Sequence, residues 1–494
     1  MLRTIRWVGL ALTLLLLASA CGQKEGVALS AGAGGTVPTG DGAGAVTEGA
    51  PTDTVPVDGA VADPAADAAT GEAGAAPGAT PAAGGAPAPS AGSTPRPGTA
   101  TTAKPGASGA PAPAAGGGAA PASSPAAGPN DKNGVSDKEI LIGIHAPVTG
   151  AAPFPQSTFE EGKEVYWKAK GPINGRQVKV VFFDDQFNPS RAVQVCREMV
   201  ESKKVFLLIG GGGADQITAC AKYANQVGVP YLSAGVNQSG LETLKTYFAL
   251  SLTYSQQSPI LAQLAKNKLG KAKIGILVAN TPSFADAKAS ITKAAGEAGL
   301  EIVYNKTINK AASQSETLQA ASDLKTSGAE VVYVLTAPTV FLQLAQQANS
   351  QQYNPLYIGP GISSGLNTVA TAGCPGIGEA RFLSPFPGLD DPAAAEYQKA
   401  YQAQNGKAGD DIGFALWGLS SILGEMINAS GQDLGRAKFI QTLQSGKAFA
   451  GGVYPEAKYA AGKPFGGSAM HLLKADCVAK PSKYNTEAKN VTGF

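Results

Sequence analysis

Along most of the chain, short apolar runs alternate with longer stretches in which apolar residues recur every three or four positions. "EILIGIHAP" (139–147) precedes "STFEEGKEVYWKAKG" (157–171), and "QVKVVFFDD" (177–185) precedes "NPSRAVQVCREMVES" (188–202). "VFLLIG" (205–210) leads into "ADQITACAKYANQVG" (214–228), and "VPYLSAG" (229–235) follows. A brief apolar run bounded by turn residues predicts a buried strand, and the three-to-four recurrence predicts a helix. Local punctuation supports this: Asn188 with Pro189 behind it reads as an N-cap and first turn. Ser157 or Thr158, with Glu160 or Glu161, reads as a capping box. The strand–helix alternation predicts a parallel sheet with helices on both faces.

A second series follows "YFALSLTYSQQS" (247–258): "KIGILVAN", "LEIVYNKTI", "AEVVYVLTA" and "PLYIGPG" as strands, each of the first three trailed by a helical pattern. The tail holds the helical stretches "DDPAAAEYQKAYQAQNG" (390–406) and "DIGFALWGLSSILGEMINAS" (411–430), then short strands up to "AMHLLKAD" (469–476). Two series of the same grammar in about 360 residues predict an α/β protein of two lobes with a cleft between them, because that length exceeds one comfortable core.

The N-terminus breaks this pattern. "MLRTIRW" followed by "VGLALTLLLLASAC" has the basic start, apolar stretch and small residues of an export signal. "LLASAC" resembles the bacterial lipobox, with Ala18 where Leu is commonest, and the resemblance implies cleavage after residue 20 and lipidation of Cys21. Residues 21–134 are Ala, Gly, Pro, Thr and Ser, with no aromatic residue between Trp7 and Phe154. Such composition cannot bury enough apolar surface to offset ordering entropy, which predicts a disordered tether. The expected location is therefore the outer face of the bacterial cytoplasmic membrane, with the membrane reached through the anchor at Cys21.

Formal net charge is +2, which gives no reason to expect nucleic acid as a partner. After Cys21 the cysteines are Cys196, Cys220, Cys374 and Cys477, and export permits disulfides. Four thiols allow three pairings. Cys196 with Cys220 and Cys374 with Cys477 is favoured, since the first two fall on successive helices of one sheet layer. With two histidines and no C-x-x-C, neither a metal nor a redox cofactor is expected.

"ILIGIHAPVTG", "VVFFDDQFNPSRAVQVCREMV", "VFLLIGGGGADQITACAKYANQVGVPYLSAG" and "VVYVLTAPTVFLQLAQQA" resemble the periplasmic-binding-protein type I family. Within it, the likeness is to substrate-binding lipoproteins of branched-chain amino acid ABC importers, and it runs in order from about residue 136 to 480. The resemblance implies two Rossmann-like lobes joined by a multi-strand hinge, with residues 135–252 in lobe 1, 253–363 in lobe 2, and 364–494 returning to lobe 1 and making the C-terminal crossover. It also implies a small-molecule solute and, as partners, an ABC permease and ATPase. A surface receptor that signals to a membrane partner would have the same sequence features.

The glycines of "IGGGGADQ" (209–216) fit neither G-x-x-x-x-G-K-[ST] nor G-x-G-x-x-G, so they are no nucleotide loop. They either admit a ligand carboxylate to backbone amides at a helix N-terminus, or let strand and helix pack closely. The resemblance places Gly212, Gly213, Ala214 and Asp215 at the ligand carboxylate, where the family's usual hydroxyl is missing. "SAGVNQ" (233–238) resembles a second ligand loop, with Gly235, Val236 and Asn237. "HAPVTGAAPFPQS" (145–157) is a first loop, with Phe154 closing on the ligand and Ser157 donating to it. His145 is a pocket group or a structural one. In the second lobe Phe284 and Tyr254 are expected at the ligand, and Trp417 is an aromatic cap or a core residue. Aromatic walls suit an apolar ligand.

The family sets a second-lobe carboxylate against an amino acid's ammonium, at a position aligning nearest Val340. No Asp or Glu occurs between Glu330 and Glu379. A buried ammonium without a partner charge is costly, so an organic acid, aromatic acid or amide-like solute is expected in preference to leucine. No enzyme is expected: G-x-S-x-G is absent, His145 and His471 make poor bases, and Asp184 with Asp185 reads as turn and cap chemistry.

Overall fold

The structure, a computed structural model, describes residues 128–235 and 240–494. These lie in one compact unit, Ala112–Phe494. Cys21, the signal, most of the expected tether, Val236 and Asn237 fall outside the described residues.

Five strands build the first sheet: β1 (Glu139–Ala146), β2 (Gln177–Asp184), β3 (Leu207–Gly210), β4 (Tyr231–Ser233) and β5 (Tyr247–Ala249). Their order is β2-β1-β3-β4-β5, with every pair parallel. Chain order places β2 on one side of β1 and β3 on the other. The crevice outside the carboxyl ends of β1 and β3 is therefore a topological switch point, where ligands of open α/β sheets bind.

The second sheet takes β6 (Lys273–Ala279), β7 (Glu301–Ile308), β8 (Val331–Leu335), β9 (Leu356–Pro360) and β10 (Arg381–Ser384). A hairpin of β11 (Ser445–Phe449) and β12 (Ala457–Ala460) stands apart, and β13 (Met470–Asp476) and β14 (Lys483–Val491) complete the sheet. Its order is β14-β13-β10-β9-β8-β6-β7, parallel from β7 to β10 and antiparallel beyond. Here the switch point lies between β6 and β8.

The tail divides between the two sheets. Its helices Ala394–Asn405 and Asp411–Ser430 pack on the first-lobe helices Gln156–Gly162 and Val165–Lys170. Its strands β10, β13 and β14 extend the second sheet instead, because Leu383, Met470, Leu472 and Val491 share a core with Ile274, Tyr333 and Ile358. The expected return of residues 364–494 to the first lobe therefore holds for these helices, while β10, β13 and β14 belong to the second sheet. The helix Asp411–Ser430 is apolar on all faces and mostly buried, as a core helix is.

Asn188 caps Pro189–Arg197 by accepting from the amides of Ser190 and Arg191. The capping box near residue 157 does not form: the helix starts at Gln156 behind Pro155, with no side-chain cap, and Ser157 is exposed. Cys196–Cys220 and Cys374–Cys477 are disulfides, with Cα atoms 6.0 and 5.4 Å apart. The first staples the two helices flanking β3; the second joins the end of Asn367–Gly373 to the residue after β13.

Candidate functional site

The two switch points face one cavity with an empty volume of about 1190 Å³, its mouth included. Ile144 of β1 and residues 209–215 after β3 line one wall. Ala279 and Thr281 after β6, and Leu335 to Pro338 after β8, line the other. A third wall comes from the tail: Ile412, Ala415, Leu416 and Leu419, one stripe of Asp411–Ser430 at helical spacing, with Phe386 and Tyr454. Nearly all of this surface is hydrocarbon or aromatic.

Among the described residues, the charged groups lining the cavity are Asp215 and Lys310, and they are paired. Asp215 accepts from Lys310 Nζ at 2.5 Å, Thr281 Oγ1 at 2.8 Å and Ser283 Oγ at 2.5 Å. Burial pushes its carboxyl up, but Lys310, Ser283 and Thr281 outweigh it and hold the group below the ordinary carboxylate range. The position is prepared locally. Asp215 sits in the first turn of Ala214–Gln226, where the helix dipole favours a negative charge. Thr281 caps the short turn Pro282–Phe284 by accepting from the Ser283 amide.

Space is tight at each glycine from the end of β3 to the helix. None of Gly210 to Gly213 has a positive φ, so no left-handed backbone demands them. A Cβ at Gly210 would meet Tyr231 Oη at 1.8 Å, and one at Gly211 the His145 carbonyl oxygen at 2.6 Å. At Gly212 it would meet the Phe154 ring at 2.0 Å, and at Gly213 Gln216 Oε1 at 2.0 Å. All four also line the cavity.

Of the residues expected at the site, Phe154, Gly212, Gly213, Ala214, Asp215, Tyr254 and Phe284 line the cavity. The Phe154 amide closes its loop onto the Pro147 carbonyl oxygen at 2.9 Å. Tyr254 meets Phe284 edge to face, their centroids 5.8 Å apart, and opens a helix with a Thr253–Gln256 capping box.

Others are corrected. Ser157 points to solvent. Gly235 packs behind Ile362, and its neighbour Ala234 reaches the cavity. Trp417 is buried against Tyr166 and Tyr397, with centroids 5.1 and 6.0 Å away, because it lies on a different face of its helix from the lining stripe. Val340 is turned into the second-lobe core. His145 is fully buried and structural: Nδ1 meets Asp185 Oδ2 at 2.8 Å and Nε2 meets Tyr231 Oη at 2.7 Å. Asp184 accepts from the amides of Val148 and Gln186, and Asp185 from that of Phe187, the turn chemistry their sequence implied.

Sequence reasoning missed Lys310, Thr281, Ser283 and the tail stripe. The stripe left a trace, since a helix apolar all round must bury a second face. Lys310 left none, because only the sheet order brings the turn after β7 to the first lobe.

Residues 139–476 match the periplasmic binding protein family over more than two thirds of the chain. The chain belongs to the type I periplasmic binding proteins. An amino acid binding protein of Pseudomonas aeruginosa is 25% identical over 211 residues, 40% of this chain and 53% of that one. This binding protein thus spans about half the length of that curated relative. The Leu/Ile/Val-binding protein homolog 2 of Brucella abortus is 24% identical over 310 residues, 61% of this chain and 81% of that one. Among solved structures, a fatty acid ABC transporter substrate-binding protein from Thermomonospora curvata has a TM-score of 0.62 at 19% identity, covering 74% of this chain and 97% of its own. A Rhodopseudomonas palustris solute binding protein of an ABC transporter, in complex with 3,4-dihydroxybenzoic acid, has a TM-score of 0.61 at 17% identity, covering 71% and 96%. These likenesses establish a shared fold.

Proposed function

We propose that this periplasmic binding protein is an extracytoplasmic lipoprotein that captures a small apolar organic solute in the cleft and delivers it to the permease and ATPase of an ABC importer. The observation that carries this reading is one apolar cavity opening at the switch points of both sheets. Lobes that close on a ligand convert its differential affinity into a shape a membrane partner reads. The solute is an organic or aromatic acid, or an amide, with an apolar body and no ammonium. Asp215 is the acidic side chain lining the cavity, and Lys310 already neutralises it. A buried ammonium would therefore lack a counter-charge. The fatty acid named for one fold neighbour and the dihydroxybenzoic acid bound to another both belong to this class. Lipidation at Cys21 and the stretch 21–134 would keep the binding lobes tethered to the membrane.

A thermal-shift screen of the purified protein against benzoate, 4-hydroxybenzoate, decanoate, benzamide and leucine tests the reading. A solute at a hundredfold excess over its Kd stabilises the folded state by about 2.7 kcal/mol. A shift with one of the apolar acids or the amide, and none with leucine, is expected. A shift with leucine alone would overturn the solute class.

A further inference from the structure

Asp215 was expected to contact the ligand, yet its carboxylate is already filled, and every side chain filling it comes from across the cleft. Asp215 belongs to the first lobe, in the first turn of Ala214–Gln226. Thr281 and Ser283 follow β6 and Lys310 follows β7, two separate turns of the second lobe. Their contacts with Asp215 are 2.8, 2.5 and 2.5 Å. Lys310 reaches the first lobe a second time, its Nζ 4.7 Å from the centre of the Phe187 ring. One carboxylate thus gathers three donors that share no strand with it, and its ammonium partner is further held by a first-lobe aromatic face. At the facing rim a weaker contact joins Thr339 Oγ1 to the Ala151 carbonyl oxygen at 3.4 Å.

We propose that Asp215 and Lys310 are a latch between the lobes: they set how much of the ligand-free protein is closed, and through that population they scale the affinity for every solute. The inference rests on the two-lobe binding reading and assigns the pair a positioning role within it. Two physical points support it. The pair is only partly exposed, at 31% for Lys310 and 20% for Asp215, so water and salt screen it less than a surface pair. A solute carboxylate would also have to draw Lys310 away from an acceptor at hydrogen-bond distance, which leaves the carboxylate to the backbone amides at the start of Ala214–Gln226 and the solute's apolar body to the walls. Opening the cleft separates all four groups together, so their contribution accrues to the closed state alone, and the apparent Kd scales inversely with the closed fraction.

The test reads the lobes directly, without a ligand. Nitroxides at Val227→Cys in the first lobe and Leu318→Cys in the second, both more than 40% exposed, are placed in the full chain carrying Cys21→Ser. Double electron–electron resonance then reports the distance distribution between the lobes. Asp215→Asn and Lys310→Met are each expected to shift the ligand-free population towards the longer distance, lowering the ratio of closed to open roughly tenfold. The double variant should shift it no further than either single variant, because the two residues act as one contact. In the unsubstituted lobes, raising salt from about 20 mM to about 1 M should move the population the same way.

Unchanged distances in both single variants would overturn the latch, as would additive effects in the double variant. So would a Lys310→Met variant that weakens benzoate or decanoate alone while the lobe distances stay as they were, since Lys310 would then be a counter-ion for the solute. A failed ligand screen would leave these distances interpretable, so failure of the binding reading and failure of the latch are distinguishable.

Discussion

Asp411 offers the sharpest test of how this fold handles charge. It opens the helix that forms the third wall of the cavity, and its Oδ2 accepts from the Asn367 amide at 2.7 Å. It therefore braces Ile412 against Leu366, two residues that line the cavity. Oδ1 is buried with no hydrogen-bond partner. Burial dominates the carboxyl and pushes it from the ordinary 3.8 up to about 6, against the help of the backbone amides. The neighbouring Asp410 carboxylate adds to the rise. With a folded-state value above the unfolded one, the stabilising contribution is complete below about pH 4 and is lost as pH rises through about 6. The loss amounts to about 3 kcal/mol.

Asp411→Asn keeps an acceptor for the Asn367 amide and removes the charge. Its unfolding free energy should match the parent near pH 4 and exceed it at pH 7.5 by about 2 kcal/mol, allowing for imperfect placement of the new amide group. Urea titrations of both proteins at several pH values between 4 and 8, followed by tryptophan fluorescence, give the difference directly. A difference that stays constant across that range, or one that is largest in acid, would refute burial of an unpaired carboxylate as the cause.

Other consequences follow from the cavity and its frame. Gly211→Ala sets a methyl group 2.6 Å from the His145 carbonyl oxygen and should lower the unfolding free energy by about 1–3 kcal/mol in urea. Gly212→Ala meets the Phe154 ring at 2.0 Å and Pro147 Cδ at 3.0 Å, so the ring must move, and titration calorimetry should show weaker binding of whichever acid the screen identifies. Replacing Cys196 and Cys220 together by Ser opens a 24-residue loop and should cost about 3 kcal/mol by urea unfolding. Phe284→Ala removes half of the aromatic pair with Tyr254 and should weaken binding of an aromatic acid by roughly tenfold, read by calorimetry.

The sequence by itself determined the grammar of this protein. Short apolar runs and three-to-four apolar recurrences are local properties, so β1 to β4 and β6 to β9 were legible, as were the Asn188 cap and the glycine turn after β3. Phe154, Gly212, Tyr254 and Phe284, which line the cavity, were picked out by the family resemblance and not by any periodicity. Tertiary structure decided what depends on two distant segments meeting. β10, β13 and β14 joined the second sheet because its core had apolar residues for Leu383 and Leu472 to cover, which no local pattern states. Trp417 and Leu416 are neighbours in sequence, yet helix rotation sent one to the core and the other to the cavity. Asp215 read as a ligand group until the turns after β6 and β7 were seen to deliver Thr281, Ser283 and Lys310 to its carboxylate. The partner of a charge is fixed by topology, and topology is settled by which faces must be buried together.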